Sequence, residues 1–270
     1  MSIAETTTAR PVRRRDVPRL ADLPRPVYAR VENLRHRTST RPHRHPWVQL
    51  SYASQGVLQI HTPEGLFLAP PQWAILVPPG LEHRVANTAR TEMRSLYIDA
   101  AVLPDTGAAC QVLAVSELLR EMIRHFSGLP VEYDESGAEG RLVRVMLDLV
   151  LAADRVAFSL PWPAEGPLRG LCAAVLAAPQ RPVRREDWSR DLGVSLRTLE
   201  RLFARETGMN MRDWRVRARL LRALPLLERG DSVTDVALAC GYESTSSFIA
   251  SFRRFFGTTP GAFSAGGDSR

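Results

Sequence analysis

The chain has 270 residues, of which 44% are apolar, and its 36 basic and 29 acidic side chains leave a net charge of +7. This balance is that of a globular protein and excludes a disordered or low-complexity chain; three widely spaced cysteines, Cys110, Cys172 and Cys240, exclude a disulfide framework or a cysteine-based zinc finger. The length leaves room for two domains, each with its own core.

Every basic side chain is Arg, so any phosphate contact would use planar, multi-donor guanidinium groups. The charge is uneven. From Leu168 onward 17 Arg stand against 11 acids, net +6, and before it 19 stand against 18, net +1. Residues 1–26 read as a flexible basic tail, with Arg13, Arg14 and Arg15 among prolines. The amino terminus carries no apolar signal segment and no run approaches eighteen apolar residues, so a cytoplasmic protein without a membrane partner is expected.

Residues 27–159 read as one unit. Up to residue 99 it is a series of short strand-like runs, such as Val48-Gln-Leu-Ser-Tyr and Val57-Leu-Gln-Ile-His, separated by turn signals at Gln55-Gly56 and Glu64-Gly65. Trp73-Ala-Ile-Leu-Val is almost wholly apolar and ends at Pro78-Pro79-Gly80. Short strands at this spacing predict a small antiparallel barrel or sandwich. Near Gln111 the period changes: Val112, Val115, Leu118, Leu119, Met122, Ile123 and Phe126 fall at helical spacing, and Leu142, Val143, Val145, Met146, Leu149 and Val150 make a second apolar helix. These helices suit packing on the barrel and pairing with a second subunit equally well. Residues 160–167, LPWPAEGP, read as the linker.

The strand region contains His43-Arg-His45-Pro-Trp-Val-Gln49 followed by Gly56, and Pro78-Pro-Gly80-Leu-Glu-His83-Arg-Val-Ala-Asn87. His43 and His45, two apart on one strand, would share a face; Gln49 would return to it, and His83 would arrive from a neighbouring strand. Three neutral imidazoles and a carbonyl oxygen suit zinc, nickel, copper or ferrous iron. The same groups suit hydrogen bonding to an organic ligand without a metal. His36, His61 and His125 match no such pattern and read as surface or partly buried residues, and Trp47 reads as packing. The two runs resemble the short motifs of the cupin superfamily. The second is matched throughout; in the first, Gln49 stands where metal-binding cupins have Glu, and Arg37 where they have Gly. The resemblance implies a cupin-like barrel that binds a metal or a small molecule.

From Leu168 to residue 265 the chain is helical, with two tandem helix-turn-helix patterns. RREDWSRDLGVSLRTLERLF runs from Arg184 and SVTDVALACGYESTSSFIASF from Ser232. Gly193 and Gly241 supply the turns, Ser195 and Ser244 the helix caps, and Leu199 and Phe203 recur as Phe248 and Phe252. Residues 211–229 predict a central helix, kinked before Pro225. The outward face of each second helix would enter the DNA major groove. In the first unit that face is Arg197, Thr198, Glu200 and Arg201, beginning at Ser195. Arg suits guanine and Glu accepts from cytosine. In the second unit it is Thr245, Ser246, Ser247 and Ala250, with Arg253 and Arg254 suited to phosphates. The segment from Leu168 to Phe263, above all VALACGYESTSSFIASFRRFFGTTPGAF, resembles the DNA-binding domain of the AraC/XylS transcription regulators. That resemblance implies promoter DNA as partner, with an effector, a second copy of the chain and RNA polymerase as further ones. The expected fold is therefore α+β in two domains: a cupin-like antiparallel β-barrel with linker helices, then an all-α domain with two helix-turn-helix motifs. Without a nucleophile elbow, phosphate loop or carboxylate pair, an enzyme is not expected. The alternative is a metal-dependent cupin enzyme fused to a DNA-binding domain.

Overall fold

A computed structural model describes residues 13–266 apart from 18–19, 21, 36, 88–89, 105, 157–158, 164–165 and 182–183; His36 and residues 1–12 of the expected tail thus lie outside the described residues. Ten strands come first: β1 (Arg13–Arg15), β2 (Val27–Leu34), β3 (Thr38–Thr40), β4 (Val48–Gln55), β5 (Leu58–His61), β6 (Gly65–Ala69), β7 (Trp73–Val77), β8 (Arg84–Asn87), β9 (Thr91–Ile98) and β10 (Gln111–Ala114). Helices α1 (Glu117–Phe126) and α2 (Ala138–Ala152) follow, then strands β11 (Arg155–Val156) and β12 (Ser159–Pro161). The carboxy-terminal half is α3 (Pro167–Ala177), α4 (Arg185–Asp191), α5 (Leu196–Thr207), α6 (Met211–Glu228), α7 (Val233–Ala239), α8 (Thr245–Phe256) and α9 (Pro260–Gly266). Among the described residues, no helix is long and apolar enough to cross a membrane.

The strands form two six-stranded sheets, ordered β1-β3-β8-β5-β6-β12 and β11-β10-β7-β4-β9-β2, which are the walls of the cupin-like unit. Side chains alternate across each strand. Ile75 and Val77 of β7 therefore enter the core shared with Leu58 and Ile60 of β5, while Ala74 and Leu76 meet Leu119, Ile123, Met146 and Val150 of α1 and α2. Being covered on both faces is why β7 reads as a continuous apolar run.

Three expectations are corrected. Arg13–Arg15 of the basic tail form a strand parallel to β3, with Arg15 paired to Glu32. Gln111–Ala114 is a strand rather than the start of a helix, because it completes β7 on one side and β11 on the other; α1 begins only after its cap, Ser116. Leu160 and Pro161, expected in the linker, join Ser159 in an edge strand that pairs with β6.

Arg37, which stands at the cupin glycine position, holds φ at +58° while its carbonyl accepts from Arg13 N–H at 2.9 Å. A side chain in the left-handed region costs roughly 1–2 kcal/mol, and Gly returns about half of its relief as chain entropy. Arg37→Gly should therefore stabilise the protein by about 0.5 kcal/mol in chemical unfolding. A loss of stability would show that the arginine side chain contributes more than its backbone strain removes.

In the helical half, α6 joins α4–α5 to α7–α8. Ser195 and Ser244 cap α5 and α8 through the N–H groups of Thr198 and Ser247, each at 3.2 Å. Gly241 has φ +76°, and a Cβ there would lie 2.9 Å from Pro179 O, so the turn requires glycine twice over. Helix α6 continues through Pro225 to Glu228, where Pro225, Leu226 and Leu227 are buried; tertiary packing holds its last turn despite the missing N–H. The two halves share an apolar core. Trp214 of α6 donates from Nε1 to Pro161 O at 2.7 Å, Arg217 donates to Ser159 O at 2.9 Å, and Trp73 touches Phe256 with ring centroids 6.0 Å apart.

Candidate functional site

His43, His45 and His83 meet, but not from one strand. His43 and His45 lie in the segment between β3 and β4, and His83 lies in the segment leading into β8. His43 and His83 exchange both main-chain hydrogen bonds, each 2.9 Å, so their side chains leave the same face of an antiparallel pair. Ring centroids are 4.3 Å apart for His43–His83 and 5.0 Å for His45–His83. One nitrogen from each ring lies within 4.8 Å of the other two.

The three rings are held in the same way. Each Nδ1 faces a main-chain carbonyl two residues away: His43 to Arg41 at 2.9 Å, His45 to Trp47 at 2.9 Å and His83 to Leu81 at 3.0 Å. A carbonyl only accepts, so each Nδ1 carries a proton, which leaves the Nε2 of His43 and His83 as acceptors, while His45 Nε2 faces the Gln49 amide. His83 Nε2 is buried and has no hydrogen-bond partner among the described residues. Gln49, expected as a fourth ligand, spends its amide between His45 Nε2 at 2.9 Å and Ser51 Oγ at 2.7 Å. Its Oε1 faces His45 Nε2 and its NH2 donates to Ser51 Oγ. Burial lowers the pKa of all three histidines, that of His83 to about 3, so they are neutral at pH 7, the form a metal ion takes up.

His43 and His45 line a cavity of about 670 Å³ that also takes in Trp47, Tyr97, Arg15, Arg41 and Arg44. Trp47, expected to serve packing, is buried and stacks on His45 at 5.2 Å, so it does both. The arginines and Tyr97 were invisible to spacing arguments, since β1, β9 and the segment before β4 meet only on folding. His61 is half-buried on β5, where it lines a separate cavity together with His83, and His125 is exposed on α1. Burial pushes the thiols of Cys110, Cys172 and Cys240 up to about 12, which leaves them unreactive.

The helical half presents two outward faces. Leu199 and Phe203 are fully buried, and Arg197, Glu200 and Arg201 are exposed one step around α5. Thr198 is half-buried, 3.0 Å from Ser195 Oγ. On α8, Phe248 and Phe252 are buried while Ser246, Ser247, Ala250, Arg253 and Arg254 are exposed; Thr245 is half-buried. Docking of the sheets leaves both faces open. Sequence reasoning missed Arg185, at the start of α4, whose guanidinium lies 2.5 Å from the Glu200 carboxylate.

Comparison with known proteins fits both halves. Residues 26–146 match the AraC-like ligand binding domain and residues 188–266 match a helix-turn-helix domain family. The chain is 32% identical over 225 residues to the HTH-type transcriptional regulator NimR of Escherichia coli, covering 83% of this chain and 81% of that protein. The chain belongs to the AraC family of transcription regulators. As an AraC-family member it is a DNA-binding protein with a ligand-binding domain, and promoter DNA is its partner. The activator RhaR of Klebsiella pneumoniae is 30% identical over 159 residues, 58% of this chain and 54% of that one. The crystal structure of the AdpA DNA-binding domain with a target DNA is 33% identical, covering 38% of this chain and 93% of that one at a TM-score of 0.36.

Proposed function

We propose that this AraC-family regulator reads promoter DNA with α5 and α8 and senses a divalent transition metal, zinc, nickel, copper or ferrous iron, at His43, His45 and His83. The single observation that carries the metal reading is the convergence of three imidazoles: one nitrogen of each lies within 4.8 Å of the other two, each Nδ1 faces a main-chain carbonyl, and the buried His83 Nε2 has no hydrogen-bond partner among the described residues. A bound metal would tie the segment before β4 to that before β8. Gln49 orients His45, and would offer a carbonyl oxygen in place of the carboxylate found in metal-binding cupins.

Metal content of protein purified without a histidine tag tests this, beside a His43→Ala/His83→Ala variant. About one equivalent in the parent and none in the variant is expected. Metal absent from both would turn the search to organic effectors, with the histidines as hydrogen-bonding groups. DNA binding with and without chelator then separates a signal from a structural ion.

Base reading falls to Arg197, Glu200 and Arg201, with Thr245, Ser246, Ser247 and Ala250 making shorter contacts and Arg253 and Arg254 on phosphates. Arg201→Ala should cost roughly 1–3 kcal/mol at the cognate site and relax preference at one base pair. Selection from randomised duplexes checks it, and an unaltered base preference would remove Arg201 from the reading set. Exposed Leu118 on α1 and Val145 on α2 support pairing of two copies, which sedimentation velocity reads directly.

A further inference from the structure

Arg185 opens α4, and while its neighbours Glu186 and Asp187 suit a helix N-terminus, a cation there does not. Local helix energetics therefore give no reason for the arginine; its partner lies across the turn. Trp188 is buried with its ring centroid 6.2 Å from that of Phe203 on α5, and Ser189 donates to Val194 O, so this side of α4 faces α5. Arg185, three and four residues before them, lies on the same side. Its Nη1 donates to Glu200 Oε1 at 2.5 Å, between side chains that are 55% and 52% exposed. A pair this open to water adds little to stability. Glu200 Oε2 has no hydrogen-bond partner among the described residues, and neither Arg197 nor Arg201 makes an ion pair among them. Glu200 thus takes its cation from α4 rather than from its own helix, where Arg197 stands at the spacing that forms helical ion pairs.

We propose that Arg185 is a positioning residue for base reading: it holds Glu200 by one carboxylate oxygen and so points the other at the edge of a base pair, where cytosine N4 donates to it. This role presupposes that Glu200 contacts a base. A lone carboxylate on a face that approaches phosphates is repelled by them, and an untethered Glu side chain samples several rotamers. The guanidinium compensates the charge and restricts the rotamers through a charge-assisted hydrogen bond. A carboxylate accepts through both oxygens, so the bond to Arg185 leaves Oε2 for the DNA. Helix α4 is itself fixed by the buried Trp188, which makes it a firm support for the arginine. It thereby enters base selection without touching a base.

Selection of randomised duplexes by the full chain, by Arg185→Gln, by Glu200→Gln and by the double variant tests this role, with binding to the selected duplexes measured at two salt concentrations. Glu200→Gln should relax the preference at one base pair by about fivefold or more. Arg185→Gln should relax the same base pair to a similar extent, keep the preferences elsewhere in the site, and add nothing to Glu200→Gln in the double variant. The preferences it keeps show that it is folded. Binding weakened equally on all duplexes, with every preference kept and the salt slope reduced by about one, would overturn the positioning role and make Arg185 a phosphate contact. An Arg185→Gln variant indistinguishable from the parent, or one that loses preference at every position, would overturn it as well. If Glu200→Gln itself leaves every preference unaltered, Glu200 is not a base contact and the role of Arg185 falls with it.

Discussion

Trp214→Ala should destabilise the protein by about 3–5 kcal/mol, the range for emptying a large buried aromatic site. Trp214 is fully buried, stands edge-on to Phe203 at 5.8 Å and to Trp162 at 6.3 Å, and hydrogen-bonds the last residue of β12. The cavity would open where α5, α6 and the sheet edge converge, so little can collapse into it. Trp214→Phe separates the two roles. It keeps most of the volume but removes the donor to Pro161 O, at a cost of about 1 kcal/mol. Urea unfolding would show the first variant losing stability and DNA binding together and the second still binding DNA. A loss below about 1.5 kcal/mol for Trp214→Ala would mean that this junction repacks freely and does not hold the halves together.

The contribution of Glu228 to stability should fall as pH rises from about 4.5 to about 8, and it is read against Glu228→Gln because the buried histidines, neutral in the folded chain, add stability with the opposite slope below about 6.5. This carboxyl ends α6 against the Val57 main chain of the sensor; burial pushes it up to about 8, the contact with Val57 opposes that only in part, and Oε2 has no hydrogen-bond partner among the described residues. Below its unfolded value both states are protonated and the contribution is complete. Between the two values the unfolded chain has released the proton while the folded chain holds it, so unfolding gains up to about 1.4 kcal/mol per pH unit. Above the folded value the slope vanishes. Glu228→Gln is neutral throughout, so its unfolding free energy should lack this slope and exceed the parent's at pH 8. Parallel pH profiles for the two proteins would show that Glu228 titrates in the folded state as it does in the unfolded chain.

Much of the architecture was legible because it depends on local patterns. The caps Ser195 and Ser244, the turn glycines and the buried Leu199, Phe203, Phe248 and Phe252 are set by neighbours within a few residues, as is the α2 stripe. The histidines at 43, 45 and 83 were legible through spacing alone. Other readings failed where a distant partner overrode the local period. Val112 sits at helical spacing yet pairs opposite Ile75 on β7 and Val156 on β11. The basic run Arg13–Arg15 looks like tail until β3 offers it a strand edge.

The sequence by itself determined the helix-turn-helix units, the β-rich sensor and which side chains could read DNA or hold a metal, since propensity, capping and periodicity act over a few residues. Tertiary structure alone decided that His83 faces His43, that a carbonyl meets each of the three Nδ1 atoms, that Arg185 pairs with Glu200, and that Arg84 and Arg169 share a cleft. Those juxtapositions join segments separated by tens of residues, and chain entropy assigns them no partner until the sheets and helices have packed.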